Sequence, residues 1–482
     1  MKKIICFLLS AMLFLLPVLS QAESFLDKVS ELVDHGSEIT ITSQFVPGDA
    51  LIKTINDEKS AQAARELFEN VKLKISLQSI DELFQSGLRL LINDQQALEF
   101  LFGKDEDELL LSSDLLGENT YVISKEDLQK TFETASAEMS DEEKKRLNET
   151  LDMLFSSADI SEEFNQKSHE LLAELLDDLN NSIEENTDDT EGETLLLDGS
   201  ETGKGIIITL PKEKIGEMIA KFISRYAAIL EQGYSFVKVD FKGKTPDDIA
   251  KEISDAFQSD LSLRIYVDDE KVISVWEFDF GPDAESKAAF RDENVINMED
   301  DKLTVDRLIL ITNADGEQMS IRSNGDITED HMVFDAAVNM TEDGKEEILC
   351  TVDGNLAYTT SDHYAGLFGA INFVLPENET ELKVELSGKG NYSDDEAQFA
   401  LKATVSMSPD LSQPLFTVDT NFYAGPAEAY MTGENAVHIL QLSEEEQQKT
   451  VEEWQQNMIL KVFSLMQLLP ESLQELLLGS FM

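Results

Sequence analysis

Leu382-Lys383-Val384-Glu385-Leu386-Ser387 alternates apolar and polar residues strictly, and so does Phe399-Ala400-Leu401-Lys402-Ala403-Thr404-Val405-Ser406-Met407 beyond a turn at Asp394-Asp395. Side chains on a strand point to opposite faces in turn, so this period of two predicts two long strands, each with one buried and one wet face. The pattern extends outward over 259–424. It is punctuated by Asp315-Gly316, Asn324-Gly325, Asp343-Gly344 and Asp353-Gly354, dipeptides that tolerate the positive φ of hairpin turns. No helical stretch interrupts it. The reading is an antiparallel meander whose strands exceed the usual ~5–6 residues, and a sheet that wide curls.

Upstream of the meander the chain is mixed. Phe25–Asp34 and Asp49–Asn70 have helical patterning, and Val71-Lys72-Leu73-Lys74-Ile75-Ser76-Leu77-Gln78 alternates again. That alternation predicts residues 71, 73, 75 and 77 facing a core and their polar neighbours facing water. Strands are expected at Leu88–Ile92, Ala97–Phe102, Leu109–Ser113 and Thr120–Ile123. Helix starts follow at Ser124 with Asp127, at the capping box Ser140-Asp141-Glu142-Glu143, and at Ser161. Glu184–Glu201 mixes acids, Thr and Gly, and no Lys or Arg occurs between Ser168 and Gly203, the composition of an exposed linker. Lys204–Thr209 predicts a strand, Pro211–Leu230 a helix, Phe236–Phe241 a strand, and Thr245-Pro246-Asp247-Asp248 a strong helix start. Tyr121–Leu128 and Ile208–Ile215 share a short strand-into-helix pattern. At the far end Ser443-Glu444-Glu445-Glu446 opens a helix with an apolar stripe at Val451, Trp454, Met458, Val462 and Leu465, expected to pack on the sheet.

The fold class is therefore α+β. Its segments are a signal peptide at 1–22, an α/β region at 23–125, a helical segment at 126–185 and an acidic linker at 186–203. A helix-rich connector at 204–258, the meander at 259–440 and an amphipathic helix at 441–482 complete the order.

The first 22 residues set the compartment. Lys2 and Lys3 precede an apolar run, Pro17 breaks it, and Ser20-Gln21-Ala22 offers small residues for cleavage after Ala22, a secretory signal of bacterial form. It is too short for a membrane span. The mature chain is expected to be extracytoplasmic, with no stable membrane span. Cys350 would be its one cysteine, so no intramolecular disulfide can form, and a small buried hydrophobe on a strand is the simplest role. Against 96 Asp+Glu stand 38 Lys+Arg, a formal net charge of −58. Such a chain repels nucleic acid and anionic membranes. It suits cationic partners, or weak calcium binding at the ~0.1–1 mM affinities of extracellular sites.

The search for chemistry yields no catalytic, cofactor-binding or metal residue. His35, His169, His331, His363 and His438 are scattered without metal-ligand spacing. Ser235-Phe236-Val237-Lys238 has serine–lysine spacing, but strand alternation would send the two side chains to opposite faces. Asn186–Gly192 fails the EF-hand pattern because Glu191 stands where glycine is required. Gly203-Lys204-Gly205 and Gly388-Lys389-Gly390 lack the third glycine of a dinucleotide loop. Carboxylate pairs suited to glycoside hydrolysis carry no information among 96 acids.

At the level of architecture, the meander from about Asp260 to Ala424 with its flanking helix resembles the exported carriers of lipids and lipoproteins with the LolA/LppX-like fold. No family motif is matched residue by residue, and there is no lipid-attachment cysteine, so the resemblance carries over no site residue. It implies a curled half-barrel that holds an apolar small molecule or lipid. Two other readings stand beside it: an extracellular protein-interaction module acting through its acidic exterior, and an extracytoplasmic hydrolase.

Overall fold

The computed structural model describes residues 37–55, 57–80, 83–105, 107–135, 155, 157–233, 239, 241, 243–268, 271–281, 283, 286–299, 302–361, 364–376, 379–393, 395–427, 430–431 and 436–480. The signal sequence, Phe25–Asp34, the Ser140 box, and Ser235 and Lys238 lie outside the described residues. The fold is α+β and mostly β, with 52% strand.

In chain order the described strands begin with β1 (Ser37–Pro47), β2 (Val71–Ile80), β3 (Leu83–Ile92), β4 (Gln95–Lys104), β5 (Glu108–Ser113) and β6 (Thr120–Ser124). Next come β7 (Thr187–Thr190), β8 (Gly205–Leu210), β9 (Leu261–Asp268), β10 (Lys271–Phe280), β11 (Ala288–Glu299), β12 (Lys302–Thr312), β13 (Gln318–Ile327) and β14 (His331–Glu342). The remainder are β15 (Lys345–Ser361), β16 (Tyr364–Leu375), β17 (Thr380–Tyr392), β18 (Ala397–Met407), β19 (Pro414–Pro426) and β20 (Ala436–His438). The helices are α1 (Asp49–Ile52), α2 (Glu58–Asn70), α3 (Lys125–Ala135), α4 (Ser157–Glu185), α5 (Lys212–Gly233), α6 (Pro246–Ala256), α7 (Glu444–Leu468) and α8 (Glu471–Ser480).

The chain divides into two compact units. Of the described residues, one holds those within 157–356 and 372–380, the other those within 37–155, 357–371 and 381–480. The meander expected at 259–440 thus contributes β9–β14 to the first unit and β17–β19 to the second. Its boundaries fall near 155 and within β15 and β16, not at 186–203.

The first unit pairs β7–β8–β9–β10–β11–β12–β13–β14 in an antiparallel run. Helices α5 and α6 are inserted between β8 and β9, and Ile208, Leu210 and Ile215 pack with Leu179, Ile183, Leu261, Leu263 and Ile265 into one apolar core. Gly216 lets α5 and α6 approach closely, since a Cβ there would stand 2.4 Å from the Ala250 carbonyl oxygen. Thr245 caps α6 through the Asp248 N–H and receives the reciprocal bond, as its sequence predicts.

The 186–203 stretch is not a linker. Thr187–Thr190 is a strand, and Leu195 and Leu197 are buried. Residues 191–203 form a strap whose backbone is held by sheet side chains described below. Asp315-Gly316 and Asp343-Gly344 are hairpin turns with positive φ at Gly316, Asp343 and Gly344. Asn324-Gly325 and Asp353-Gly354 instead sit inside β13 and β15. The buried Phe334 ring occupies the space over Gly354, where a Cβ would lie 2.2 Å from the ring, so this glycine serves packing, not a turn. Cys350 is on a strand as expected, half-buried.

The second unit pairs β17–β18–β19–β1–β2–β3–β4–β5–β6 antiparallel, with β20 added parallel to β6. Helices α1 and α2 are inserted between β1 and β2, the same order as α5 and α6 in the first unit. The helix starts at Ser124, with the Asp127 N–H bonding its hydroxyl, and at Ser443 form as expected.

Candidate apolar binding face

Register assembles the apolar face of the second unit strand by strand. Phe422, Ile41, Ile75, Leu88 and Phe100 are successive cross-strand partners from β19 to β4. One row along, Leu77, Ser86, Phe102, Leu111 and Tyr121 are partners from β2 to β6. Because cross-strand neighbours on one face lie about 4.5–5.5 Å apart, these rows form one continuous apolar surface.

That surface is open. Leu73, Ile75 and Leu77 are each 41% exposed, whereas the polar residues between them, Ser76 and Gln78, are 0% and 2% exposed. The expectation for 71–78 is thereby inverted: the polar side of β2 is the covered one. Ile41, Phe84, Leu88, Phe100, Phe102 and Leu111 share the exposure. Nine large side chains, each leaving about two-fifths of some 150–200 Å² in solvent, present on the order of 500 Å² of apolar area. The largest such patch on an ordinary monomer is ~300–600 Å² and is often functional.

The covering of the polar side explains the inversion. Buried Gln85 accepts the N–H groups of Tyr430 at 2.7 Å and Met431 at 3.1 Å and donates to the Met431 carbonyl at 3.0 Å. Met431 then packs with Leu101, Leu110 and Val122. Arg89 pairs with Glu99, donates to the Ser76 hydroxyl, and lies over the Tyr430 ring at 4.4 Å. Burial, aided by Glu38, pushes the Tyr430 hydroxyl above the usual tyrosine range. A segment almost 350 residues away in sequence therefore decides which face of β2 is buried.

Helices guard only the ends of the apolar face. The Phe68 ring of α2 meets Phe45 of β1 edge-on at 5.6 Å. The Trp454 ring of α7 meets Tyr121 edge-on at 5.0 Å, and Lys461 pairs with Asp114. No residue of α7 is buried, so the helix expected to pack on the sheet meets it along a narrow line. Ile459, Leu460, Val462 and Phe463 remain exposed.

The first unit has a counterpart to the covered polar face. Glu293, with no exposed surface, accepts the backbone N–H groups of Leu196 at 3.0 Å and Leu197 at 2.7 Å, and Arg291 Nε at 2.7 Å. Glu193 on the strap accepts from Tyr266 at 2.8 Å, Arg264 at 2.6 Å and Arg291 at 2.9 Å. Glu277 completes the ring by pairing with both arginines. Burial opposes ionisation of Glu193, but Tyr266 and the two guanidiniums outweigh it and hold its carboxyl below the usual glutamate range. Every charge in the ring has a partner, the arrangement of a structural latch.

No catalytic residue was expected from the sequence. Among the described residues no cluster of three His, Cys, Asp or Glu side chains is placed to hold a metal ion, and no helix is long and apolar enough to cross a membrane. His169, His331 and His438 lie apart on α4, β14 and β20. The sequence contained the apolar face as alternation on β1–β5. What it could not show is that this face is the uncovered one.

No family model and no curated protein matches the chain. Among solved structures it is similar to a loop L8 deletion mutant of OmpT, an outer membrane protein of Vibrio cholerae, at 7% identity and a TM-score of 0.24, over 81% of this chain and 97% of that one. It is also similar to Pseudomonas aeruginosa OccK5, at 7% identity and a TM-score of 0.25, over 81% and 96%. Acinetobacter baumannii OccAB2 gives 7% identity and 0.24 over 82% and 98%. Likeness at this level carries no argument about function.

Proposed function

We propose that this chain is an exported, non-catalytic protein that binds an apolar ligand or lipid on the open face of its second unit. The observation that carries the reading is the exposure of Leu73, Ile75 and Leu77 beside the burial of Ser76 and Gln78. Exposed apolar area is costly in water, at ~25 cal/mol per Å², so the order of 500 Å² present here is retained against a large driving force to cover it. The arrangement suits acyl chains, which need area and no hydrogen-bonding partner. The signal at residues 1–22 supports export.

Native mass spectrometry of residues 23–482 exported by a bacterial host, followed by organic extraction, tests the reading. A stoichiometric lipid that is lost in Leu88→Asp, with the thermal transition kept, is the expected result. An apo mass that gains nothing when lipids are added would overturn it.

A further inference from the structure

The polar face of the second unit is covered by Tyr430 and Met431 only over β2–β6. Over β17–β2 it is open, and there it forms a cleft of about 620 Å³. Its lining departs from the rest of the chain in charge. Acids outnumber bases 96 to 38 overall, yet Lys72, Lys389 and Lys402 line this cleft with Asp419 as its one carboxylate. Register places them on two walls. Ser387, Lys402, Asp419 and Gln44 are consecutive partners from β17 to β1, and Lys389, Ala400, Asn421, Thr42 and Lys74 form the next row, from β17 to β2. Lys402 and Lys389 thus stand on β18 and β17. Lys72 and Lys74 stand on β2, three strand spacings or about 14 Å from β18.

Between the walls the floor is made of hydroxyl and amide groups. Gln44 spends its Nε2 on the Phe68 and Glu69 carbonyls, which turns its Oε1 free as an acceptor. Lys72 pairs with Asp94. Lys74, Lys389 and Lys402 make no ion pair among the described residues, although Lys402 directly opposes Asp419 in register. Lysines left without a counter-ion in so acidic a chain mark a place where an anion is favoured. Exposed Phe368 adds an apolar plate to the same cleft.

We infer that this cleft binds an anionic saccharide, a sugar chain bearing sulfate, phosphate or carboxylate groups. Lys389 and Lys402 meet the anionic substituents, with Lys72 on the opposite wall. Thr42, Asn421 and Asp419 meet hydroxyls, which donate as well as accept, and Phe368 meets a ring face. A bare acidic peptide would use the lysines and leave the hydroxyl-matched floor and the aromatic plate idle. The site lies on the opposite face of the sheet from the apolar surface and does not depend on it.

Titration calorimetry of the full mature chain with a heparin-derived hexasaccharide, a glucose hexasaccharide and poly-L-glutamate tests this. The sulfated sugar should bind, and its affinity should fall as salt rises from about 0.1 to about 0.5 M. Lys389→Gln with Lys402→Gln should weaken it roughly tenfold or more, since each substitution removes a charge-assisted hydrogen bond to the sugar's anionic groups. Lys449→Gln, on the exposed face of α7, should leave it unchanged, and all variants should keep the parent thermal transition. The carboxylate and phosphate forms are separated by repeating the titration with polyglucuronate and a phosphorylated hexose. Equal binding of poly-L-glutamate would assign the cleft to acidic protein segments instead. Equal binding of the neutral sugar, no binding of any charged sugar, or indifference to the double substitution would overturn the proposal.

Discussion

The two units use the same order of elements, a strand, a pair of helices and then a run of antiparallel strands, but they finish their apolar faces differently. In the first, α4 and α5 settle on β8 and β9 and bury Ile208 and Leu210. In the second, α2 and α7 reach only the ends of the face, and Ile41, Ile75, Leu88 and Phe100 stay open in one cross-strand row. Both units close the polar face alike, with a sheet side chain gripping two successive backbone N–H groups: Glu293 with Leu196 and Leu197, Gln85 with Tyr430 and Met431. The polar latch is common to both units; the helix-filled core is confined to β8 and β9 of the first, and beyond it Val272, Trp276 and Met298 on the same face stay exposed. Covering the polar face is what frees the apolar face of the second unit from the work of folding.

The largest effect should come from the charged latch. Glu293→Ala orphans two backbone donors in a buried site and removes one of the three carboxylates that pair with Arg291, and a loss of about 3–5 kcal/mol is expected by urea denaturation. A loss under about 1 kcal/mol would mean that the strap is not held by this group.

The contrast of filled and open faces is measured by making one truncation in both. Ile208→Ala, in the closed core, should cost about 2–5 kcal/mol. Ile75→Ala, on the open face, should cost under about 1 kcal/mol. Equal costs would break the comparison. Gln85→Ala should cost about 1–3 kcal/mol, the desolvation penalty of the groups it orphans, and should raise amide hydrogen exchange at Met431.

The smallest effect is one of pH. The carboxyl of Glu193 ionises below its unfolded value of about 4.3, so its stabilisation is complete above that pH and is lost as pH falls through the lower folded value. Urea midpoints between pH 6 and pH 3 should fall less steeply in Glu193→Gln than in the parent. Parallel curves would remove Glu193 from the linkage.

Local signals were legible in the sequence. Alternation located β2, β17 and β18, and the hydroxyl caps at Ser124, Thr245 and Ser443 located helix starts, because these devices act within a few residues. What decides exposure acts across hundreds. Ser76 and Gln78 are buried because Gln85 binds Met431, and nothing in 71–78 announces that partner. Gly354 accompanies Asp353 as a hairpin glycine would, yet it is there for the ring of Phe334. The acids of 186–203 have the composition of a solvated linker, but Glu193 has arginines waiting on β9 and β11. The open face was legible as a pattern and illegible as a site, since alternation gives two faces and does not say which one is covered.

The pairing of β1 with β19 bears on how the chain is made. Ser37 lies opposite Pro426, so the first described strand finds one of its two neighbours only after some 380 further residues have been synthesised. β19 sits between β18 and β1 in the second unit, so the last long strand to emerge enters the middle of its sheet. The first unit occupies an almost continuous stretch and can fold as it appears. Until β19 arrives, β1 presents an unpaired edge with apolar Ile39, Ile41 and Phe45 on one side, the kind of template on which chains join one another wrongly. Loop closure over so long a separation is slow. The newborn chain therefore needs protection for longest at β1, the earliest of the described strands to be made.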